Sequence, residues 1–444
     1  MAIRQLRRPA APLRFRLERY FKPINFLGLF LALILFQGFF EYFFKFTIGI
    51  SFLGLYARSF KLGMYVLVGL TALYFLLRSK PDRNQVRPGA LLLALILLEI
   101  VLGMGLSVYL GLDQKNARLP LYFDSLLSVL LIIPFAYAAV EKVEDLYRVM
   151  RWFVTGLVVL AGFEVFARVV GPSLVLVRSF ALTSYRLTLP IAVLFFLVAG
   201  LTSHRPRISH LLYSAIAALG VVIAFNKPIF VPFIVSLVFA ILLLLVLPKN
   251  RIAFRKRDVL LSLLVMVVLL VLFILLVEIV VPGDYLGGYV AVFERYVLKV
   301  NPSTNESIGR VDGGRFYLYA RAWEMFLANP IFGRGLGVTI ISDGGTQIPP
   351  HSIIFDLMAG TGLAGTLPFI AGIVILFLYV LRNADFTRMI ELKVAMLGYV
   401  VFGFAFALVG VLWEYAYIYF PMAIYIGCLL KVATLDGNRR RPVQ

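Results

Sequence analysis

The residues of this sequence that are equipped for chemistry gather in one stretch. His351 follows Pro349-Pro350 and precedes an apolar run, which places its imidazole at the first turn of a helix. The positive end of a helix disfavours the imidazolium, so the ring stays neutral and can accept a proton as a general base. Arginines accompany it: Arg178 and Arg186 flank one turn, while Arg310, Arg315, Arg321 and Arg334 lie in the connection before the histidine. A guanidinium grips a phosphate with paired, charge-assisted hydrogen bonds and cannot lose its proton. Beside a bilayer, such a group of arginines suits a lipid-linked phosphate, and a neutral imidazole suits removal of a proton from an attacking hydroxyl.

Other polar features read as less specific. His204 and His210 neighbour Arg205 and Arg207 and are expected to be solvated at an interface. Gly333-Arg-Gly-Leu-Gly337 looks like a phosphate loop but follows no strand, so it reads as a turn. The absence of any Asp-x-Asp pair argues against a nucleotide-sugar transferase that holds a diphosphate through a metal. Asp284, Glu294, Asp312 and Asp343 are scattered, so neither a metal site nor a cofactor is expected. Cys428, the single cysteine, can form no internal disulfide.

The elements that hold these residues follow from composition. The chain has 444 residues, 61% hydrophobic and 15% charged, with a mean hydropathy of +0.93. That excess of apolar surface calls for a lipid environment, in which helices satisfy their own backbone groups. Twelve apolar segments are expected to span: 24–44, 62–77, 89–110, 121–140, 152–170, 187–203, 211–225, 228–247, 259–281, 352–381, 394–413 and 415–430. The seventh and eighth are separated by Asn226-Lys227 alone, a tight hairpin, and 352–381 is long enough to hold a short helix before its span. The fold class is therefore an all-α polytopic membrane protein of about 12 transmembrane helices. The net charge of +20 reports topology rather than nucleic-acid binding, because the basic residues punctuate apolar runs instead of covering a soluble face.

With both termini cytoplasmic, 28 of the 43 basic residues fall on the inner side, as the positive-inside rule requires. The expected organisation is a basic N-terminus (1–23), nine helices (24–281), a long periplasmic loop (282–350), three helices (351–430) and a basic cytoplasmic tail (431–444). Connections as long as that loop are usually functional. Within it, Phe316, Tyr319, Trp323, Phe326 and Leu327 share one helical face, Asp312 is placed to cap the helix, and Asn329-Pro330 is placed to stop it.

Two stretches resemble the motifs of the O-antigen ligase and polymerase superfamily. In Gly314-Arg315-Phe-Tyr-Leu-Tyr-Ala-Arg-Ala-Trp323, an arginine opens an amphipathic helix that ends at Pro330-x-x-Gly333-x-Gly335. In the second stretch, His351 is followed by Gly362 and Gly365. The resemblance implies a membrane glycosyltransferase of GT-C-like architecture in a bacterial inner membrane, working without a metal. Its donor would be a glycan on undecaprenyl diphosphate, and its acceptor a sugar hydroxyl of lipid A core. It implies that Arg315 contacts the carrier diphosphate and that His351 is the functional histidine. Arg310, Arg186 and Arg178 are further candidates for the diphosphate. Where the family tends to place Ser-Arg or Thr-Arg before the eighth span, this chain has Asn226-Lys227; lysine keeps the charge and loses the fork geometry. The family's usual asparagine after the histidine is Ser352.

Polymerisation of the glycan on its carrier is the nearest alternative, and a protein O-glycosyltransferase is another within the superfamily. A transporter is the alternative of a different class. It would place its substrate groups near mid-membrane, often at interrupted helices, whereas the charges here collect at one surface, with Glu41, Glu99 and Glu164 the acidic exceptions in or near spans.

Overall fold

The computed structural model describes residues 22–32, 119–170, 185–202, 208–223, 227–247, 315–335, 340–341, 347–348, 350, 352–409 and 416–440, with isolated positions 35, 264, 268 and 271. The expected spans 62–77 and 89–110, and nearly all of 259–281, lie outside the described residues, as do Arg178, Arg310, Asp312, His351, Glu41 and Glu99.

The described chain is helical apart from one pair of two-residue strands. Its helices are α1 (Pro23–Ala32), α2 (Leu119–Ala139), α3 (Val143–Val170), α4 (Tyr185–Thr202), α5 (Ile208–Ile223), α6 (Lys227–Val246), α7 (Arg315–Ala328), α8 (Ile353–Asn383), α9 (Ile390–Val409) and α10 (Ala416–Arg440). Strands β1 (Ile340–Ile341) and β2 (Gln347–Ile348) pair antiparallel between α7 and α8. Four helices contain stretches long and apolar enough to cross a membrane: Val143–Phe166, Ile353–Asn383, Ile390–Leu408 and Ile418–Arg439. The chain is therefore a helical membrane protein.

Helices α9 and α10 form the centre: α9 packs on α4, α6 and α10, while α10 packs on α2 and α8. Small residues allow these close approaches. A Cβ at Gly427 would stand 2.4 Å from the carbonyl oxygen of Ile133, so only glycine lets α10 lie this close to α2. Tyrosines in the core keep hydrogen bonds where water is absent: Tyr399 donates to the Leu187 carbonyl at 3.1 Å, and Ser125 donates to Tyr419 at 3.2 Å. Glu164 is buried on α3.

Where both ends are described, helix boundaries lie within a few residues of the apolar segments, with two exceptions; the end of the first segment, 24–44, lies outside the described residues. Helix α3 begins at Val143, nine residues before the apolar run, because Glu144 and Asp145 in its first turn suit the positive helix end. Helix α10 runs to Arg440, ten residues beyond the expected end of its span, and buries Val432, Ala433, Thr434 and Asp436. An ion pair explains this extension. Lys393 Nζ lies 2.8 Å from Asp436 Oδ2, with the side chains 1% and 4% exposed. Lys393 also donates to the Asp385 carbonyl, and the Asp385 N–H donates to Asp436 at 2.9 Å. The α8–α9 connection is thereby fastened to the end of α10.

Removing one partner of such a pair leaves a buried charge uncompensated. Lys393→Met should therefore destabilise the protein by about 3–5 kcal/mol, whereas Lys393→Met with Asp436→Leu should recover most of the loss. Thermal unfolding in detergent measures both, and an unchanged Tm for the single variant would mean that water already reaches the pair.

His210, expected to be solvated, instead lies half-buried on α5, its ring 5.8 Å from that of Phe196.

Candidate functional site

The site region is built where α7 meets the start of α8. Helix α7 begins at Arg315 and ends at Ala328, where Asn329-Pro330 stops it as expected. The face that meets the protein is only part of its apolar arc. Leu318 and Ala322 are buried and, with Met325, pack on Ala359 and Phe355 of α8; Phe326 is buried as well. Trp323 and Leu327 are 44% and 58% exposed. The apolar arc of this helix is wide enough that spacing alone did not fix which part meets the protein. Tyr319 adds a stacked ring pair with Phe355, centroids 4.8 Å apart and planes 10° from parallel.

Helix α8 is broken. Gly362 has φ 60° and ψ −155°, a conformation essentially reserved for glycine, which separates a first segment of about two turns from a second that continues to Asn383. A break at this point costs the helix the bonds from the N–H groups of Leu363 and Ala364 to the carbonyls of Ala359 and Gly360. The turn after α7 replaces them. Arg334 N–H donates to the Ala359 carbonyl at 2.8 Å, and Gly335 N–H donates to the Gly360 carbonyl at 2.7 Å. In return, Leu363 N–H donates to the Pro330 carbonyl and Ala364 N–H to the Ile331 carbonyl, both at 2.9 Å. The four freed groups are thus satisfied, as burial demands.

Two glycines make this clasp possible. A Cβ on Gly333 (φ 71°) would stand 2.4 Å from the Gly360 oxygen, and a Cβ on Gly362 would stand 2.5 Å from the Ile331 oxygen. Both obstacles are backbone, which cannot swing aside. The glycine-rich stretch from 333 to 335 is therefore a turn, as expected, and its N–H groups are spent on the carbonyls of Asn329, Ala359 and Gly360 rather than on a phosphate.

Three candidate cations stand at helix starts. Arg315 is the first residue of α7, Lys227 the first of α6, and Arg186 the second of α4. Helix α5 ends at Ile223 and α6 begins at Lys227, and the connection expected to be a tight hairpin, 224–226, lies outside the described residues. Helix α8 begins at Ile353 with Ser352 as its N-cap, so the described helix starts two residues after position 351. Arg178, Arg310 and His351 lie outside the described residues, and no geometry is assigned to them. Arg321 is engaged locally: it donates to Tyr317 at 3.3 Å and to Glu324 at 2.8 Å. These bonds, Tyr317 first, hold its guanidinium above the ordinary arginine range. Asp356, which sequence reasoning did not weigh as a primary candidate, is buried in the first turns of α8. Among the described residues, no three His, Cys, Asp or Glu side chains gather in a way that could hold a metal ion.

The matched family covers this same structure. Residues 231–370 match the O-antigen ligase family. The matched segment runs from α6 through α7 and the clasp into the second segment of α8, and it supports the O-antigen ligase and polymerase superfamily whose motifs the sequence resembles. O-antigen ligase or polymerase activity in general is supported with it, as are a membrane glycosyltransferase-like enzyme and glycan and lipid-linked substrates as a class. No curated protein matches the chain. Within the O-antigen ligase match, the clasp gives the two motifs a physical relation: the turn that carries Gly333 and Gly335 of the first is hydrogen-bonded to the helix break that carries Gly362 of the second.

Proposed function

We propose that this protein is an O-antigen ligase-type glycosyltransferase that moves a glycan from undecaprenyl diphosphate to a sugar hydroxyl of lipid A core, at the periplasmic face of a bacterial inner membrane. The observation that carries the proposal is the clasp. It ties the helix that begins at Arg315 to the helix that follows His351, inside the segment matching the O-antigen ligase family.

In the proposed reaction, the acceptor oxygen attacks the anomeric carbon as the bond from that carbon to the carrier diphosphate breaks. His351 takes the acceptor proton, and the bonding electrons leave with the diphosphate. Arg315 holds that developing charge, with Lys227, Arg186, Arg310 and Arg178 as further contacts, and no metal is required. In-line displacement inverts the anomeric centre.

The test is incubation of the purified protein with carrier-linked glycan, with and without a core acceptor. Product on the core acceptor alone supports ligation. Lengthening of the carrier-linked glycan without it would make the protein a polymerase.

A transporter is disfavoured by the break in α8. Transporters use interrupted helices to offer backbone groups to a substrate or ion, but here Ala359, Gly360, Leu363 and Ala364 spend theirs on the turn after α7.

Binding of the diphosphate should depend on guanidinium geometry more than on charge. Arg315→Lys is expected to lose most transfer activity, because an ammonium is a point donor where paired bonds are needed. Lys227→Arg should be tolerated or should improve donor use. Transfer rates at varied donor concentration check both, and near-normal Arg315→Lys would remove Arg315 from the diphosphate.

A further inference from the structure

Helix α7 carries more apolar surface than α8 covers. At about 100° per residue it has three faces: Leu318, Ala322 and Met325 on α8, with Phe326 buried on the same side; Tyr317, Arg321 and Glu324 as a polar strip; and Trp323 with Leu327 between them on the far side. The chain then turns through Ile331 and Phe332, which are 60% and 52% exposed.

The break in α8 sets the depth of this surface. The segment from Leu363 to Asn383 is about 31 Å long, which alone matches a hydrocarbon core of roughly 30 Å. Leu363 therefore stands at one edge of that core. Below it, Leu367, Ile370, Val374 and Leu378 form an exposed apolar stripe at helical spacing, the face a spanning helix turns to lipid. The bond from Ala364 N–H to the Ile331 carbonyl fixes Ile331 and Phe332 at the top of the same stripe.

We infer that α7 and the turn after it are seated in the bilayer surface, with Trp323, Leu327, Ile331 and Phe332 immersed in lipid as a continuation of the lipid-facing stripe of α8. The Arg321–Glu324 pair faces water. Tryptophan is a favoured residue at this depth, and an apolar face opposite a charged strip is the pattern of an interfacial helix. Such a seat fixes the height of α7, and with it the backbone of Arg315. The inference does not depend on glycan transfer.

Trp152→Phe with Trp413→Phe leaves Trp323 as the sole tryptophan in the full-length chain. In phosphatidylcholine vesicles brominated near the headgroup, Trp323 emission should fall about twofold, and less with bromine near the acyl ends. Quenching by aqueous iodide but not by brominated lipid would overturn the inference, as would quenching by neither, which would mean that protein covers this face. Should that variant fail to fold, a spin label on Leu327→Cys in a Cys428→Ser background gives a second measurement. Greater accessibility to oxygen than to an aqueous nickel chelate is expected, and the reverse overturns it.

Discussion

His351→Ala should leave donor binding nearly intact and reduce glycan transfer by ~10²-fold or more, because the loss falls on the chemical step. Two arguments support a base at this position. The helix that follows has Ser352 as its N-cap, so its positive end favours an uncharged ring nearby. The clasp also joins that helix to the one beginning at Arg315. A base must be neutral to work, so the wild-type rate should fall as pH drops through the imidazole pKa, ordinarily ~6.5. A helix start lowers that value and a bound diphosphate raises it, so the position of the limb reports which is stronger. The residual activity of the alanine variant should lack the limb. Full transfer activity with the acid limb unchanged would remove His351 from the mechanism and direct attention to Asp343 or to the buried Asp356.

Gly362→Ala is expected to be nearly as damaging without touching a reacting group. Its φ of 60° is strained for any L side chain, and the new Cβ would sit 2.5 Å from the Ile331 oxygen. The turn after α7 must withdraw, breaking bonds to four backbone groups and moving α7. Displacement of a positioning element by about 1 Å commonly costs ~10²-fold in rate. Gly333→Ala meets the reciprocal obstacle at Gly360 and should behave alike. Gly28→Ala, whose Cβ would make only an ordinary 3.6 Å contact with Val149, is the control. Transfer rate and proteolysis within 329–339 provide the readouts. A Gly362→Ala protein with wild-type rate and protease resistance would show the clasp to be dispensable.

Much of this organisation was legible in the sequence, for identifiable reasons. Long apolar runs announce helices because a bilayer permits little else, and Asn329-Pro330 marks the end of α7 because proline cannot continue one. The extra length of 352–381 foretold a short helix before the span. The reciprocal fit of Gly333 and Gly362 was not legible. Each glycine signals a turn, but the partner backbone that demands it lies 29 residues away. The buried Lys393–Asp436 pair was hidden for the same reason, being separated by 43 residues. Which part of the apolar arc of α7 meets α8 was not legible either, because Trp323 and Leu327 are as apolar as the residues that do, and periodicity reports apolarity rather than the identity of the neighbour.

The clasp also divides the chain into what must be held constant and what is free to vary. Between Gly335 and Gly360 the backbone departs from one hydrogen-bonded point and returns to it, carrying the β1–β2 pair and position 351 in a lobe closed at its neck. Because the neck is held by its own hydrogen bonds, changes of length between β1 and β2 alter the reach of the lobe while the clasp keeps the long segment of α8 in place, whereas β1 itself packs on α7. Chimaeras that exchange only the strand pair would therefore keep Phe355 and Ala359, on which α7 packs, while changing the surface that the lobe presents.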